Sequence, residues 1–330
     1  MLSSGQGGQD LRGRHRAVGR QDLIEQHPVR LFVGVGAAVG DDREAIVEVG
    51  RPAGGEQDRA AGADAHQDQR PAALGPEQEV QVGALEGACA GALVGLCLGM
   101  SGAAMQGYLR NPLADPGLFG VSSSAALGAV ISLFFGYAVQ AWLLPVFAQA
   151  GAAAGMAALA LLAGRSGSLI LFTLAGVILA SLTGSFTSLL ISLAPTPFAS
   201  SEIVTWLMGA LVDRSWDDVR LAVLPAIIGV AVLLRAAPAL DALTLGETAA
   251  RSLGVDMARL QWLIVLGVGL TVGASVALAG IIGFVGLMVP HIVRPLVDDR
   301  PSALLIPSAL AGAILVVLAD SLVRVLPSVS

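Results

Sequence analysis

The chain contains no lysine: all nineteen of its basic residues are arginine. A Walker A phosphate loop needs a lysine to reach the β- and γ-phosphates, so the chain is not expected to hydrolyse ATP by that route. Cysteine is almost as scarce. Cys89 and Cys97 stand eight apart in one apolar stretch, about 12 Å along a helix and beyond disulfide reach, so they read as small apolar residues. His15, His27 and His66 fall in a polar N-terminal region and His291 is alone. No metal-ligand spacing appears, and neither a metal nor a cofactor is expected. Charge is sparse too, at 13% of residues against 55% hydrophobic. Those proportions belong to polytopic membrane proteins rather than soluble ones.

The charge that exists is unevenly spread. Residues 1–87 carry nine of the nineteen arginines and at least thirteen of the twenty-five acids. They are rich in Gly, Gln, Arg, Asp and Glu, lack amphipathic periodicity, and their apolar run Leu31–Gly40 is too short to span. Gly34, Gly36 and Gly40 do not match a dinucleotide fingerprint, and no secretory signal shape is present. This region reads as an atypical polar segment, disordered or out of frame. From Ala88 to Ser330 the chain reads as a transmembrane domain. Eight apolar segments follow one another, at about 88–108, 120–138, 141–163, 168–194, 219–236, 260–279, 280–296 and 302–326. Several approach the roughly twenty residues that cross a hydrocarbon core; the seventh is short and reads as partly broken.

Arginine placement orients these segments. Arg110, Arg165, Arg235, Arg251, Arg259, Arg294 and Arg300 fall in alternate connections, and only Arg214, Arg220 and Arg324 fall on the other side. The positive-inside rule makes the seven-arginine side cytoplasmic. The same topology places residues 1–87 outside the cell without an export signal, a contradiction that one further span before Ala88 would remove.

A polar island, Asp241–Arg259, then lies on the cytoplasmic side. Thr244 and Glu247 have capping-box spacing, Leu245, Ala249 and Leu253 share a helical face, and Gly254 is placed to close the helix. The expectation is a helix of about nine residues, roughly 13 Å long, with Ala249 and Ala250 leaving room for a partner to approach. A solvated loop helix would satisfy the same spacing. Elsewhere, Gly91, Gly95 and Gly99 form a small-xxx-small stripe for close helix packing. Asp320 and Arg324 are four apart and can pair near the end of the last segment.

Three strings carry more than periodicity: Met105–Ser122, MQGYLRNPLADPGLFGVS; Leu243–Val255, LTLGETAARSLGV; and Gly280–Arg294, GIIGFVGLMVPHIVR, followed by ADSLVR at Ala319–Arg324. Together they resemble the FecCD family, the membrane permeases of bacterial ABC importers for iron–siderophores, haem and vitamin B12. The resemblance implies an all-α polytopic transmembrane bundle of the type II importer kind, with about eight spans of an expected ten, in the bacterial inner membrane. It implies a homodimer or paralogous pair, two cytoplasmic ATPase subunits and an extracytoplasmic substrate-binding protein, with membrane lipid around the bundle. Nucleic acid is not among the partners. The family's ATPase-coupling helix aligns with Leu245, Gly246, Glu247, Ala249, Ala250, Leu253 and Gly254, and its cytoplasmic turn with Asn111, Pro112, Asp115 and Pro116. Arg324 matches an arginine that docks the binding protein, and Gly280, Gly283, Gly286, Pro290, His291 and Arg294 match a structural motif.

The family's first helix, its Arg-x-Pro-Arg segment and its last helix have no counterpart here. These departures read as a gene fragment whose first 80-odd codons are out of frame, with a genuine N-terminal extension as the alternative. The function expected is therefore a permease subunit, not an enzyme, carrying an iron–siderophore or related metal chelate such as haem or cobalamin into the cytoplasm. An ion-coupled secondary transporter would need acids near the midplane, and a non-functional permease fragment is the other alternative.

Overall fold

Long apolar runs in lipid must satisfy every backbone polar group internally, which leaves helices as the form for segments of this composition. The computed structural model describes residues 76–325 except 137–139, 141, 165–167, 213 and 299. All of these belong to a unit running Pro71–Ser330. The expectations placed on residues 1–75 lie outside the described residues.

The chain forms ten α-helices among the described residues: α1 (Pro76–Leu109), α2 (Val121–Phe134), α3 (Leu143–Ala163), α4 (Leu169–Ser192), α5 (Pro197–Leu207), α6 (Trp216–Leu243), α7 (Glu247–Ser252), α8 (Met257–Ala279), α9 (Val285–Val293) and α10 (Pro301–Val325). Short 3-10 turns, Pro116–Phe119 and Arg294–Leu296, precede α2 and follow α9. No strand occurs among the described residues. Six helices are long and apolar enough to cross a membrane, namely α1 from Gly83, α3, α4, α6, α8 and α10, and two shorter apolar helices, Val121–Phe134 and Val285–Leu296, join them. Each of the eight segments read from the sequence coincides with one of these. Helix α1 begins at Pro76, upstream of the composition break at Ala88.

Burial separates the centre from the rim. The apolar windows of α1 and α8 are 72% and 78% buried, against 28–39% for the other four long helices. In lipid the force between helices is close packing rather than water exclusion, and the glycines lie where the helices touch. The stripe Gly91–Gly95–Gly99 faces α10: a Cβ on Gly95 would strike the backbone of Gly312, and one on Gly99 the carbonyl of Ser308. Gly269 and Gly273 of α8 receive Met156 and Ala152 of α3, and Gly267 receives Leu233 of α6. Inside the centre, the Ser101 and Thr271 hydroxyls bond at 2.7 Å and tie α1 to α8.

Contacts between helix ends agree with the arginine topology. At the arginine-rich end, Gln261 of α8 donates to Gly164 O after α3 (3.3 Å), and Asp241 of α6 accepts from the Ser302 N–H (2.9 Å) and hydroxyl (2.6 Å) of α10. At the other end, the Trp216 N–H of α6 donates to Glu86 of α1 at 3.4 Å. Arg165 falls outside the described residues.

Candidate functional site: a short helix at the arginine-rich end and its seat

The polar island folds as a discrete piece bounded by glycines. Gly246 at φ 101° opens α7 and Gly254 at φ 87° follows its end. Positive φ is cheap only for glycine, so this chemistry sets both boundaries. The helix is shorter than its spacing predicted: six residues, about 9 Å.

The expected capping box is absent. Helix α6 runs on to Leu243 and uses Thr244 as its own C-cap, with the Thr244 hydroxyl donating to Asp241 O at 2.7 Å. Glu247 makes no cap hydrogen bond, and Gly246 takes the N-cap position without a side chain. The shared face also changes. Leu245 and Leu253 lie outside the helix and are 67% and 64% exposed, while Ala250 is fully buried. Ala250 is therefore the anchor into the bundle and not a free surface, and its carbonyl accepts from Val255 N at 3.0 Å.

Beneath this helix lies the end of α1. Arg110, at φ 51°, leaves α1 in the left-handed region, and its guanidinium would be 3.9 Å from a Cβ on Gly246. The turn that follows is held locally. The Leu113 N–H donates to Asn111 Oδ1 at 3.0 Å, and Asp115 caps Pro116–Phe119 by accepting from Gly117 N at 2.7 Å. Pro112 is exposed and Pro116 buried, so the turn presents one proline outward and seats the other. Burial pushes the Asp115 carboxyl above its ordinary range, and N–H groups of Gly117 and Leu287 oppose that rise.

Gly280 (φ 72°) closes α8, and Phe284 (φ 67°), in the left-handed region, stands just before α9. Gly102 lets α9 press on α1, since the Gly286 carbonyl sits where a Cβ on Gly102 would be. Gln106 of α1 donates to Leu287 O (3.2 Å), and Arg294 donates to Gln106 Oε1 (3.0 Å). Gln106 thus joins the middle and the last residue of the motif Gly280–Arg294 to the central helix. Pro290 is buried, His291 is exposed, and a Cβ on Gly283 would meet nothing. Among the described residues no cluster of three His, Cys, Asp or Glu side chains is placed to hold a metal ion.

At the opposite end, Arg324 Nε pairs with Asp320 Oδ2 at 2.7 Å, as the spacing predicted. Arg324 also lines an outer pocket of about 350 Å³ with Glu86, Arg214 and Ser215. The residues of α7, of the turn and of α9 therefore gather around the arginine-rich half of α1, while Gly280 packs on Trp206 and Gly209 and Arg324 stands apart.

Sequence reasoning overlooked three features. Helix α5 announces itself by Thr196 before Pro197, and the Thr196 hydroxyl caps Ala199 N at 3.1 Å, a legible start signal. The buried ring cluster Tyr108–Phe172–Phe119, with centroids 5.3 and 5.8 Å apart, joins α1 to α4 and to the turn. The Asp241–Ser302 pair joins α6 to α10. Neither of these last two has a local sequence signal.

Comparison with known proteins accords with this arrangement. Residues 79–330 match the FecCD transport family. The chain is 42% identical over 233 residues to the ABC transporter permease protein YvrB of Bacillus subtilis, covering 69% of this chain and 65% of that protein. It is 34% identical over 227 residues to the molybdate import system permease protein MolB of Haemophilus influenzae, covering 69% and 67%. To the Fe(3+)-citrate import system permease protein YfmD of Bacillus subtilis it is 39% identical over 228 residues, with the same coverage. The chain thus spans about two thirds of the length of these curated relatives. An ABC transporter assigned to the metal-chelate type, solved in an inward-facing conformation, superposes with a TM-score of 0.69 at 34% identity, over 73% of this chain and 77% of that one. This all-helical, multi-pass membrane protein belongs to the FecCD transport family, a family of permeases rather than enzymes.

Proposed function

We propose that the chain serves as the membrane-spanning permease subunit of an ABC importer in the bacterial inner membrane, passing an iron–siderophore or related metal chelate such as haem or cobalamin into the cytoplasm. The observation that carries this reading is α7: a short helix bounded by two positive-φ glycines, anchored by fully buried Ala250, with Leu245 and Leu253 turned outward at the arginine-rich end. A rigid piece with a buried root and an apolar outer edge suits a cleft in a cytoplasmic ATPase subunit. Force applied there reaches α6 and α8 directly through the chain. Alternating access would follow from closure of two ATPases on two such helices, in a pair of permease subunits. An extracytoplasmic binding protein would deliver cargo at the end that carries Arg324.

The chelate class is supported by the Fe(3+)-citrate relative and the metal-chelate type structure. The molybdate relative makes oxyanions the comparison cargo. The test is uptake into proteoliposomes holding the chain, the ATPase of the same system and its binding protein, with labelled ferric siderophore, haem, cobalamin and molybdate offered in turn. The reading expects ATP-dependent uptake of one chelate. Uptake driven by an ion gradient without ATP would refute it, and ATP-dependent uptake of molybdate alone would refute the cargo class.

A further inference from the structure

Asp241 holds two elements at once. Its backbone carbonyl accepts from the Thr244 N–H (3.2 Å) and hydroxyl (2.7 Å), which fixes the end of α6 where α7 is joined on. Its carboxylate reaches across to α10 and accepts from the Ser302 N–H (2.9 Å) and hydroxyl (2.6 Å), 61 residues away. Ser302 is the second residue of α10, and a carboxylate at a helix start is favoured by the helix dipole. Among the described residues Asp241 makes no ion pair, so its charge is held by Ser302 and not by an arginine. Pro238 lies inside α6 three residues before Asp241. It has no N–H to give Leu234, so the helical ladder is interrupted there. The last turn of α6 is thereby loosened from the rest of its helix and tied to α10 instead.

Helix α10 is in turn seated on α1 from end to end. A Cβ on Gly107 of α1 would strike Pro301, one on Gly99 the carbonyl of Ser308, one on Gly95 the backbone of Gly312, and one on Gly87 the guanidinium of Arg324. Backbones packed this closely leave no room for one helix to slide past the other. Ser302 and Arg324 stand 22 residues apart on α10, about 33 Å, and a hydrocarbon core is about 30 Å thick. A displacement that enters at Ser302 therefore reaches the opposite membrane face at Arg324.

We propose that Asp241 is a positioning residue for transport: through Ser302 it passes movement of α7 to the paired helices α1 and α10, and so couples the ATPase-docking end to the end that carries Arg324. This role rests on the proposed docking of an ATPase at α7 and of a binding protein at the Arg324 end. Such coupling is reciprocal. If a bound ATPase changes the affinity for the binding protein by some factor, the binding protein changes the affinity for the ATPase by the same factor.

The test is the affinity of the binding protein of the same system for the full chain in lipid nanodiscs, first without the ATPase and then with the ATPase saturating and held by a non-hydrolysable ATP analogue. The affinity of the ATPase alone is measured beside it. In the unmodified chain the two binding-protein affinities should differ by about fivefold or more, the lower end for coupled sites. Asp241→Ala should bring them within about twofold of each other, while each partner measured alone binds within about twofold of its affinity for the unmodified chain. A merely structural role would weaken both partners along with the thermal midpoint and leave the ratio unchanged. Ser302→Ala keeps the backbone N–H and should lose part of the coupling. Ser302→Thr keeps a hydroxyl and should retain it, and adding Ser302→Ala to Asp241→Ala should remove nothing more. The serine variants decide the matter if Asp241→Ala lowers the thermal midpoint. Equal affinities in the unmodified chain while both partners bind, coupling retained in Asp241→Ala, or equal coupling in Ser302→Ala and Ser302→Thr would overturn the role of Asp241 and leave the docking reading intact. No binding of the ATPase to the unmodified chain would overturn that reading, and the role of Asp241 with it.

Discussion

Replacing Leu245 and Leu253 together by serine separates the docking role of α7 from its structural one. Both side chains are about two-thirds exposed, at 67% and 64%. Fully burying one leucine is worth about 1.5–3 kcal/mol, so covering the exposed part of both in a partner's cleft contributes about 2–4 kcal/mol. Losing it should weaken the chain's affinity for its ATPase by about 30- to 700-fold. Because neither side chain packs in the bundle, the thermal midpoint should move little. The assay is titration of the purified ATPase subunit onto the chain in lipid nanodiscs, beside ATP hydrolysis with and without binding protein. Affinity within threefold of the unmodified chain, in a variant that remains folded, would refute the reasoning. Ala250→Trp is the contrasting control. From sequence it is a steric block on a free surface; in the structure Ala250 is fully buried, so the bulkier ring should cost about 1–3 kcal/mol of packing and lower the thermal midpoint as well as docking.

Three further predictions address the bundle and its ends. Gly95→Val should drive α1 and α10 apart, because the first added atom strikes the backbone of Gly312; a loss of about 1–3 kcal/mol or more would appear as a lower unfolding temperature in detergent, and an unchanged one would contradict the close approach. Asp115 has a carboxyl raised by burial above its ordinary 3.8, so the folded chain takes up a proton before the unfolded one does. Its contribution to stability therefore rises as pH falls through the raised value and levels off below the ordinary one, and Asp115→Asn should remove that slope from a pH series of unfolding midpoints. Arg324→Glu should weaken docking of the binding protein, most at low salt, in a salt-titrated binding assay; unchanged affinity would leave Arg324 as only the partner of Asp320.

How legible each part was depended on how local its cause is. The eight apolar segments, the stripe Gly91–Gly95–Gly99 and the Asp320–Arg324 pair follow from spacing along one helix, and each stands where spacing put it. The capping box at Thr244 failed because two helices competed for the same residue. Thr-x-x-Glu marks a helix start only if the preceding helix has already ended, and α6 runs to Leu243. The ends of the polar island were nevertheless marked, at least for Gly254, because positive φ is a property of glycine itself.

The amino-acid sequence by itself determined that this is a bundle of membrane helices, which side is rich in arginine, and where a short helix on that side interrupts the spans. Those properties sum over residues or depend on neighbours a turn apart, so no tertiary knowledge is needed to read them. Tertiary structure alone decided that α1 and α8 form the centre, that Gln106 joins Arg294 to Leu287 across 188 and 181 residues, and that Ala250 points inward while Leu245 and Leu253 point out. Helices in lipid carry no hydrophobic stripe that marks a core-facing side, because lipid tails are as apolar as the core. Their inward faces are set by which backbones come close enough to touch, and that is a property of pairs of helices rather than of any one segment.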